Sequence, residues 1–427
     1  MSKVRFQDIV KKKDGFLRGP FGGDLKKDIF VEKSSDTYKV YEQGVVLNND
    51  ERIGRYYISN DYFKKKMYRF EVKPKDFLVS CSGVNYGAIH QLSENIEKGV
   101  INQALLRIRL DSDKVDDNYF YYLFKALIVN MIVGKKGDST IPNFPPLSVI
   151  KALEFELPEK NEQIQIGRLL SHLDQKIELN NRINVELEAM AKTLYDYWFV
   201  QFDFPDGNGS PYKSSGGKMV YNPTLKREIP EGWKVKKLAD VTSLIRRGIS
   251  PKYTDEGGIS VLNQKCVRDQ KISFEDARRH KIELDDKDER LLKPFDVVVN
   301  STGVGTLGRV AYVKRLPEKK TTVDSHVSIV RANPELLPPQ YLAWKLMRHQ
   351  PVIESAANGS TGQVELSKSF LEDIDVIIPS DSIVKRFEEF VTPLVPELAA
   401  RETENEQLIQ LRDWLLPMLM NGQITVK

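Results

Sequence analysis

Cysteine is almost missing from this chain: two in 427 residues, Cys81 and Cys266, far apart and without metal-ligand spacing around either. They build no disulfide framework and no zinc-binding pair, and a reducing, cytoplasmic setting is the expectation. Histidine is scarce too. His90, His172, His280, His326 and His349 are scattered and form no HExxH or comparable pair, which argues against zinc hydrolysis. No run of 18 apolar residues occurs, so no membrane-spanning helix is expected. The opening "MSKVRFQDIVKKKDG" lacks the apolar core of a signal peptide. Nucleotide chemistry leaves no signature either. A GxxxxGK[ST] phosphate loop is absent, and the glycines of "SGVNYG" and "STGVGTLG" do not space as a dinucleotide turn. "NPTL" at 222–225 lacks the second proline and the aromatic of an amino-methyltransferase tetrad.

The nearest approach to a catalytic motif is Asp61 followed by Glu71 and Lys73 in "EVK". It loosely matches the Asp…Glu-x-Lys of metal-dependent nucleases, where carboxylates hold Mg²⁺ and the lysine sits by the attacking water. In a chain with 29% charged residues such spacing arises easily. A self-sufficient nuclease is therefore a minor alternative, and a protein-only scaffold is another.

What the sequence does have is charge laid out in blocks. Residues 1–75 carry 18 Lys/Arg against 11 Asp/Glu, and 226–320 carry 22 against 15, a net of +7 in each. Residues 159–206 carry 5 against 9, and 381–427 carry 5 against 8, nets of −4 and −3. One basic block is ordinary solvated surface, but the alternation favours nucleic acid as a partner.

The chain is also written twice, at an offset near 221 residues. "VYEQGVV" at 40–46 lies over "VLNQKCV" at 261–267, and "KPKDFLVSCSGVNYG" at 73–87 over "KPFDVVVNSTGVGTLG" at 293–308. "NQALLRIRL" from Asn102 lies over "DSHVSIVRA" from Asp324, and 139–158 over 360–379. A domain-sized period is an internal duplication, not a solenoid. Leu291 stands opposite Glu71, so the nuclease-like spacing is not repeated. Short β-branched runs ending in glycine turns predict buried strands. "DDNYFYYLFKALIVNMIV" and "PPQYLAWKLMRHQPVIESAA" predict helices, the second interrupted at Pro351. Residues 1–158 and 229–379 are thus mixed α/β globules, 159–203 and 380–427 are long helices, and the Gly/Ser/Pro-rich 204–228 is an exposed linker.

The helices carry a 4-3 seam. Leu173, Ile177, Asn180, Asn184, Leu187, Ala191, Leu194 and Trp198 follow it, and a shift of 221 gives Leu394, Leu398, Arg401, Asn405, Leu408, Arg412, Leu415 and Leu419. Both seams are apolar at the ends and polar in the middle. Polar seam residues lower stability and fix register. If the helices pair antiparallel, Asn180 and Asn184 should meet Arg401 and Asn405. Pro393 and Pro396 should break or kink the start of the second helix, and Asn421–Gly422 should stop its end.

Around the glycine turns lie residue types that read bases or phosphates. They are Arg18, Gln43, Asn85, Tyr86, Asn102 and Gln103 in the first repeat, and Arg246, Arg247, Gln264, Lys265, Thr306, Arg309, Ser325 and His326 in the second. Arginine pairs with guanine and Asn/Gln with adenine in the major groove. Singly, each is more simply structural; as a set placed twice beside basic surface, they favour DNA.

Taken whole, the chain resembles the specificity (S) subunits of type I restriction–modification enzymes. The marks are "LLSHLDQKIELNNRINVELEAMAKTLYDYWFVQFDFP", "IPEGWKVKKLADV", "NGSTGQVELSKSFLEDIDVIIP" and "LRDWLLPMLMNGQITVK". The resemblance implies two target recognition domains separated by two long antiparallel coiled-coil helices, with internal pseudo-two-fold symmetry. It implies no catalysis in this subunit and a bipartite double-stranded DNA target. It also implies two modification (methyltransferase) subunits and, in the full complex, two restriction subunits as partners. Those partners would use S-adenosylmethionine, ATP and Mg²⁺; no cofactor is implied for this chain.

Overall fold

The computed structural model describes residues 2–83, 85–133, 145–282, 284–303, 305–357 and 365–426. The repeated stretches 139–144 and 360–364, and with them the start of "NGSTGQVELSKSFLEDIDVIIP", lie outside the described residues. The chain divides into two compact units, Met1–Glu178 with Asn405–Lys427, and Leu179–Glu404. The division therefore falls inside both long helices.

In the first unit the apolar run after Lys75 becomes the fully buried strand Phe77–Ser80. It lies in a four-stranded antiparallel sheet ordered Phe16–Arg18, Leu105–Ile108, Phe77–Ser80, Ile89–Gln91. A second sheet runs Phe30–Val31, Tyr57–Ser59, Thr37–Tyr41, Gly99–Ile101, its last pair parallel. Ser2–Arg5 pairs with Glu154–Leu157, a strand that ends at Pro158 because proline has no N–H for the ladder. The core is aromatic: Phe120 packs with ring centroids 5.0 Å from Phe77 and 5.7 Å from Phe6. Asp116 caps the helix beginning at Asp117, accepting from the Tyr119 amide at 3.0 Å. This helix passes through a π turn at Phe124–Ile128 and resumes at Val129–Val133.

The long helix Lys160–Tyr195 is fastened to this globule at its first turns. Gln163 is 1% exposed; its Oε1 accepts from the Asp116 amide, and its Nε2 donates to the Pro158 and Lys114 carbonyls. At Gly167 a Cβ would stand 2.7 Å from the Tyr119 amide nitrogen, so only glycine lets the helix approach this closely.

The second unit repeats both sheet orders. One sheet runs Thr242–Arg247, Val327–Ala332, Val297–Asn300, Val310–Tyr312; the other runs Tyr253–Thr254, Arg278–His280, Ile259–Leu262, Thr321–Val323, again with a parallel last pair. Lys234–Lys237 pairs with Asp375–Ile378. The aromatic core here gathers Phe199, Tyr341 and Phe387, with Phe199 centroids 4.8 and 5.1 Å from the other two.

One corner shows why the sequence repeats "KP-x-D". In the first unit Asp76 accepts from the Lys73 amide at 2.7 Å, and its carboxylate meets Arg109 Nε and Nη2 at 2.7 Å each. In the second, Asp296 accepts from the Lys293 amide at 2.7 Å and meets Arg331 at 2.7 and 2.6 Å. Lys75 and Phe295, between proline and aspartate, both take left-handed backbone, φ +67 and +66. A side chain there is strained by about 1 kcal/mol. A bidentate, buried Arg–Asp fork of this kind is strong enough to hold the turn in place.

Two expectations need correction, and a third needs it in part. The helix Pro339–Ala357 runs through Pro351 instead of stopping. The second long helix breaks at Thr392 and Pro393 as expected, between Asp381–Val391 and Leu394–Met420, but not at Pro396. Pro396 sits within its first turn, where a missing N–H matters little. The 204–228 linker is not free chain: Phe204 is buried, stacked 5.0 Å from Trp233 and 4.6 Å from Tyr212. Asp203 ties down Ser214 through both its amide and hydroxyl at 2.7 Å, and Met219–Asn222 forms a hairpin with Arg227–Pro230. Among the described residues, no helix is long and apolar enough to cross a membrane.

Candidate DNA interface and helix pair

In the first unit the loops leaving the sheet strands are stitched together by backbone. Gly19 N–H donates to the Leu105 carbonyl at 2.8 Å, and a Cβ on Gly19 would lie 1.7 Å from the Asn102 carbonyl oxygen. Cys81 N–H donates to Ala104 at 2.8 Å, and Gly87 N–H to Ser80 at 2.8 Å. Gln43 Nε2 reaches across to Ser80 Oγ and the Ser82 carbonyl, both at 2.6 Å. Asn102 Oδ1 accepts from the Ala104 amide at 3.0 Å, so this side chain holds its own turn. Asn85 and Tyr86 line an open pocket with Asn49, Tyr121 and Lys125.

The second unit builds the same loops from other residues. Gly248 abuts the Val323 carbonyl, where a Cβ would lie at 1.8 Å. Ser301 N–H donates to His326 and Gly308 N–H to Asn300, both at 2.8 Å. Asp324 takes the place of Asn102, accepting from the His326 amide at 2.8 Å. Asn300 Nδ2 donates to the carbonyls of Gln264 and Thr306 at 2.9 and 3.1 Å. The Gln264 side chain lies against Gly303, a positive-φ glycine at +103°. Ser325 is half-buried on the turn between Asp324 and His326.

The candidate base readers therefore separate by what already holds them. Gln43 and Asn102 brace loops, whereas Gln264 lends only its backbone carbonyl to Asn300 and, among the described residues, its buried Oε1 has no hydrogen-bond partner. Arg246 is paired with Glu289, Arg247 with Glu365 and the Leu366 carbonyl, and Arg309 with the Gly305 carbonyl at 2.8 Å. His326 Nδ1 shares a hydrogen bond with Thr302 Oγ1 at 2.7 Å. Arg18, Asn85, Gln103, Lys265 and His326 are exposed; Tyr86 and Thr306 are half-buried. Residue type alone missed Tyr253, whose hydroxyl donates to Asp324 Oδ2 at 2.6 Å.

Catalytic chemistry finds little support in these loops. Burial pushes the Cys81 thiol up to about 12 and the Cys266 thiol up to about 11, so neither is a ready thiolate. Among the described residues no three His, Cys, Asp or Glu side chains are grouped to hold a metal ion. The main-chain carbonyl of Glu71 accepts from Arg107, and the main-chain amide of Lys73 donates to Asp76.

Along the long helices buried positions recur on the seam, at Asn180, Asn184, Ala191, Trp198, Leu398, Asn405 and Leu419, with Tyr195, Phe199, Val395 and Met420 buried beside it. In the second unit Asn180 and Asn184 are 1% and 4% exposed. Asn180 Nδ2 donates to Glu404 Oε2 at 2.7 Å, and Asn184 Nδ2 to the Leu398 carbonyl at 3.3 Å. Arg401, expected opposite them, instead pairs with Glu397 one turn back at 2.9 Å. Leu187 and Leu194 are half-buried, as is Leu394, while Leu398 is buried. Lys314, from the globule, places its ammonium between Glu188 and Glu402 at 2.6 and 2.7 Å. Burial pulls its pKa down, but the two carboxylates outweigh this and raise it. In the first unit Arg412 Nη1 donates to Asp174 Oδ1 at 2.8 Å, and Tyr122 donates to Asp174 Oδ2 at 2.7 Å. Leu173, Ile177, Leu408 and Leu415 are half-buried there, and Asn405 is buried. Within the second unit the partner's number falls as the first helix's number rises.

Each unit also leaves an apolar patch on its helix. In the second, Val185, Met190, Tyr197 and Phe390 are 56, 52, 38 and 47% exposed, the last three lining one groove. In the first, Leu411 and Trp414 are 42 and 57% exposed, with Leu415 and Met418 half-buried nearby in sequence. A shift of 221 carries Met190 to Leu411 and Tyr197 to Met418. Scattered apolar residues need no explanation, but grouped ones mark interaction surface.

Known proteins carry the same plan. The sequence profile described as the type I restriction modification DNA specificity domain matches residues 22–189 and again 230–410. The type I restriction enzyme MjaIX specificity subunit of Methanocaldococcus jannaschii is 28% identical, over 76% of this chain and 73% of its own length. The HindI specificity subunit of Haemophilus influenzae is 22% identical, over 94% and 98%. The crystal structure of a type I restriction–modification S subunit from M. genitalium matches with a TM-score of 0.59 at 16% identity, covering 98% of this chain and 95% of that one. At that identity the likeness is one of fold. With two successive matches spanning most of its length, this chain belongs to the type I restriction–modification DNA specificity family, whose members are non-catalytic specificity subunits.

Proposed function

We propose that each unit reads one half of a bipartite double-stranded DNA target, and that the two long helices pair as an antiparallel coiled coil that sets the distance between the readers. The observation that carries this reading is the loop set built twice, on one sheet order, with Gly19 and Gly248 jammed against the carbonyls of Asn102 and Val323. Rigid loops on basic globules suit phosphate contact with base readout between the phosphates. The recurrent apolar patches on the helices give two equivalent places for a partner, as an internally duplicated chain can. We assign them to two methyltransferase subunits, joined in the full complex by two restriction subunits. These partners bring S-adenosylmethionine, ATP and Mg²⁺, and the complex works in the cytoplasm.

Mapping methylated sites genome-wide, with this chain and its methyltransferase partner expressed together, tests the reading. The expected motif has two short defined blocks around an undefined spacer; a continuous motif would sink it. The long helix Lys160–Tyr195 has 36 residues, about 54 Å at 1.5 Å per residue. Inserting one heptad into both long helices should lengthen the spacer and leave both blocks unchanged. Altered blocks would mean that the helices are not the ruler.

A further inference from the structure

Phe21 is 89% exposed, the barest large apolar side chain among the described residues. Its loop is not loose. Gly19 is fixed by the Leu105 and Asn102 carbonyls. Asp24 N–H closes onto the Phe21 carbonyl at 2.9 Å, Tyr62 OH donates to the Asp24 carbonyl at 2.7 Å, and Leu25 packs into the apolar cluster of Ile58, Phe63 and Met67. The chain is anchored on both sides of the ring, at Gly19 and at Asp24 and Leu25, and the ring is held out. It stands two residues from Gly19, which packs against the turn of Asn102 and Gln103. Exposed cations flank it in sequence, Arg18, Lys26 and Lys27, and Lys64, Lys65 and Lys66 follow Tyr62 and the buried Phe63. Among the described residues none of these six forms an ion pair, whereas many other basic side chains of the unit do. A rigid aromatic with such cations near it along the chain, of which Lys66 alone is engaged, its ammonium 5.9 Å from the Tyr62 ring centroid, is suited to a polyanion with apolar faces between its charges. Proteins that enter base stacks use just such apolar wedges, with cations on the flanking phosphates.

We propose that Phe21 is a specificity-determining wedge, its ring entering the base stack of the half-site read by the first unit. The inference rests on the DNA reading above. It is confined to one half-site, because the matching loop of the second unit presents no such ring: Ser250 stands two residues after Gly248, Ile249 is buried, and Tyr253 is tied to Asp324.

The test uses the complex of this chain with its methyltransferase partner and a duplex carrying the methylome-defined target. 2-Aminopurine replaces each base of both half-sites in turn. Beyond the bases that the methyltransferase subunits themselves flip out, the wild-type complex should raise the fluorescence at one further step, in one half-site only. Phe21→Ala should abolish that signal and weaken target binding by about tenfold. Phe21→Leu should keep most of both, since an apolar wedge remains. Thermal unfolding of Phe21→Ala should match the wild type, because the ring is bare. Unchanged fluorescence and affinity in Phe21→Ala overturn the wedge while leaving the DNA reading intact. A wild-type complex that binds its target no better than scrambled duplex overturns the reading and the wedge together.

Discussion

Buried charge sets the sharpest energetic constraints at the scale of single residues. Asp296 is 1% exposed and takes two hydrogen bonds from Arg331, which also donates to the Leu291 carbonyl at 2.7 Å. Arg331→Met leaves that carboxylate buried without its fork, and should cost about 3–5 kcal/mol, read as a lower denaturant midpoint. Pairing it with Asp296→Asn should recover part of the loss; a cost under about 1 kcal/mol would contradict the role given to the pair. His349 makes the pH prediction. Burial first, and then the Lys345 ammonium 3.5 Å from Nδ1, lower its pKa to about 4, against a smaller opposing pull from Asp375. The unfolded imidazole titrates near about 6.5. Its contribution is therefore complete above that pH and is lost as pH falls toward 4, where the unfolded chain binds the extra proton. His349→Gln should flatten that part of the stability curve between about pH 6.5 and 4; parallel curves for variant and wild type would refute it. Little of this was legible in sequence. Asn102 has an adenine reader's residue type, yet its carbonyl oxygen closes a turn, the job of Asp324 in the second unit. Asparagine does both things well, and only backbone geometry chooses. The exposure of Phe21 left no pattern at all, since one aromatic among Gly and Pro has no periodicity to read.

Elements were legible wherever periodicity or a stop signal was strong. Alternating and continuous apolar runs located the central strands Phe77–Ser80 and Val297–Asn300, and the 4-3 seam located the long helix. Proline misled in two ways. Pro351 is carried inside a helix whose Tyr341, Leu342, Leu346 and Ile353 are buried, and packing of that face outweighs about 3 kcal/mol of intrinsic penalty. The 204–228 segment looked like linker because Gly, Ser and Pro dominate it, but Phe204 and Tyr212 dock it beside Trp233; two aromatic anchors were enough to override composition. Seam polarity gives the prediction at this scale. Asn184 is 4% exposed, with Oδ1 lacking a hydrogen-bond partner and Nδ2 at 3.3 Å from a carbonyl. An unmet buried amide oxygen costs about 1–3 kcal/mol, more than that long hydrogen bond returns. Asn184→Leu should therefore raise stability by roughly 1 kcal/mol. An equal fall in the denaturant midpoint would show instead that the asparagine is a net stabiliser.

The whole molecule is a duplicated chain whose copies have diverged residue by residue while keeping one strand order. The loops kept their backbone joints and changed their side chains: Asn102 to Asp324, Ser80 to Asn300, Tyr86 to Thr306. That is the expected pattern if the joints hold the loops and the side chains face different base pairs. Duplication was visible in sequence because strand and turn residues recur at a fixed offset; the helix patches were not, because Met190 and Leu411 differ and charge surrounds both. Those patches carry the last prediction. Met190→Asp with Tyr197→Asp places two carboxylates in the groove of the second unit, and Trp414→Asp does the same singly in the first. These positions are 38 to 57% exposed, so folding should be little affected. If each patch seats one methyltransferase subunit, either variant alone should lower the mass of the purified complex by one partner. Combining them should leave this chain by itself, as read by native mass spectrometry at equal concentrations. The single variants should differ in degree, with Trp414→Asp acting more strongly for one substitution, because tryptophan is the commoner interface anchor. Retention of both partners in the combined variant would move the docking site off the helices and onto the globules.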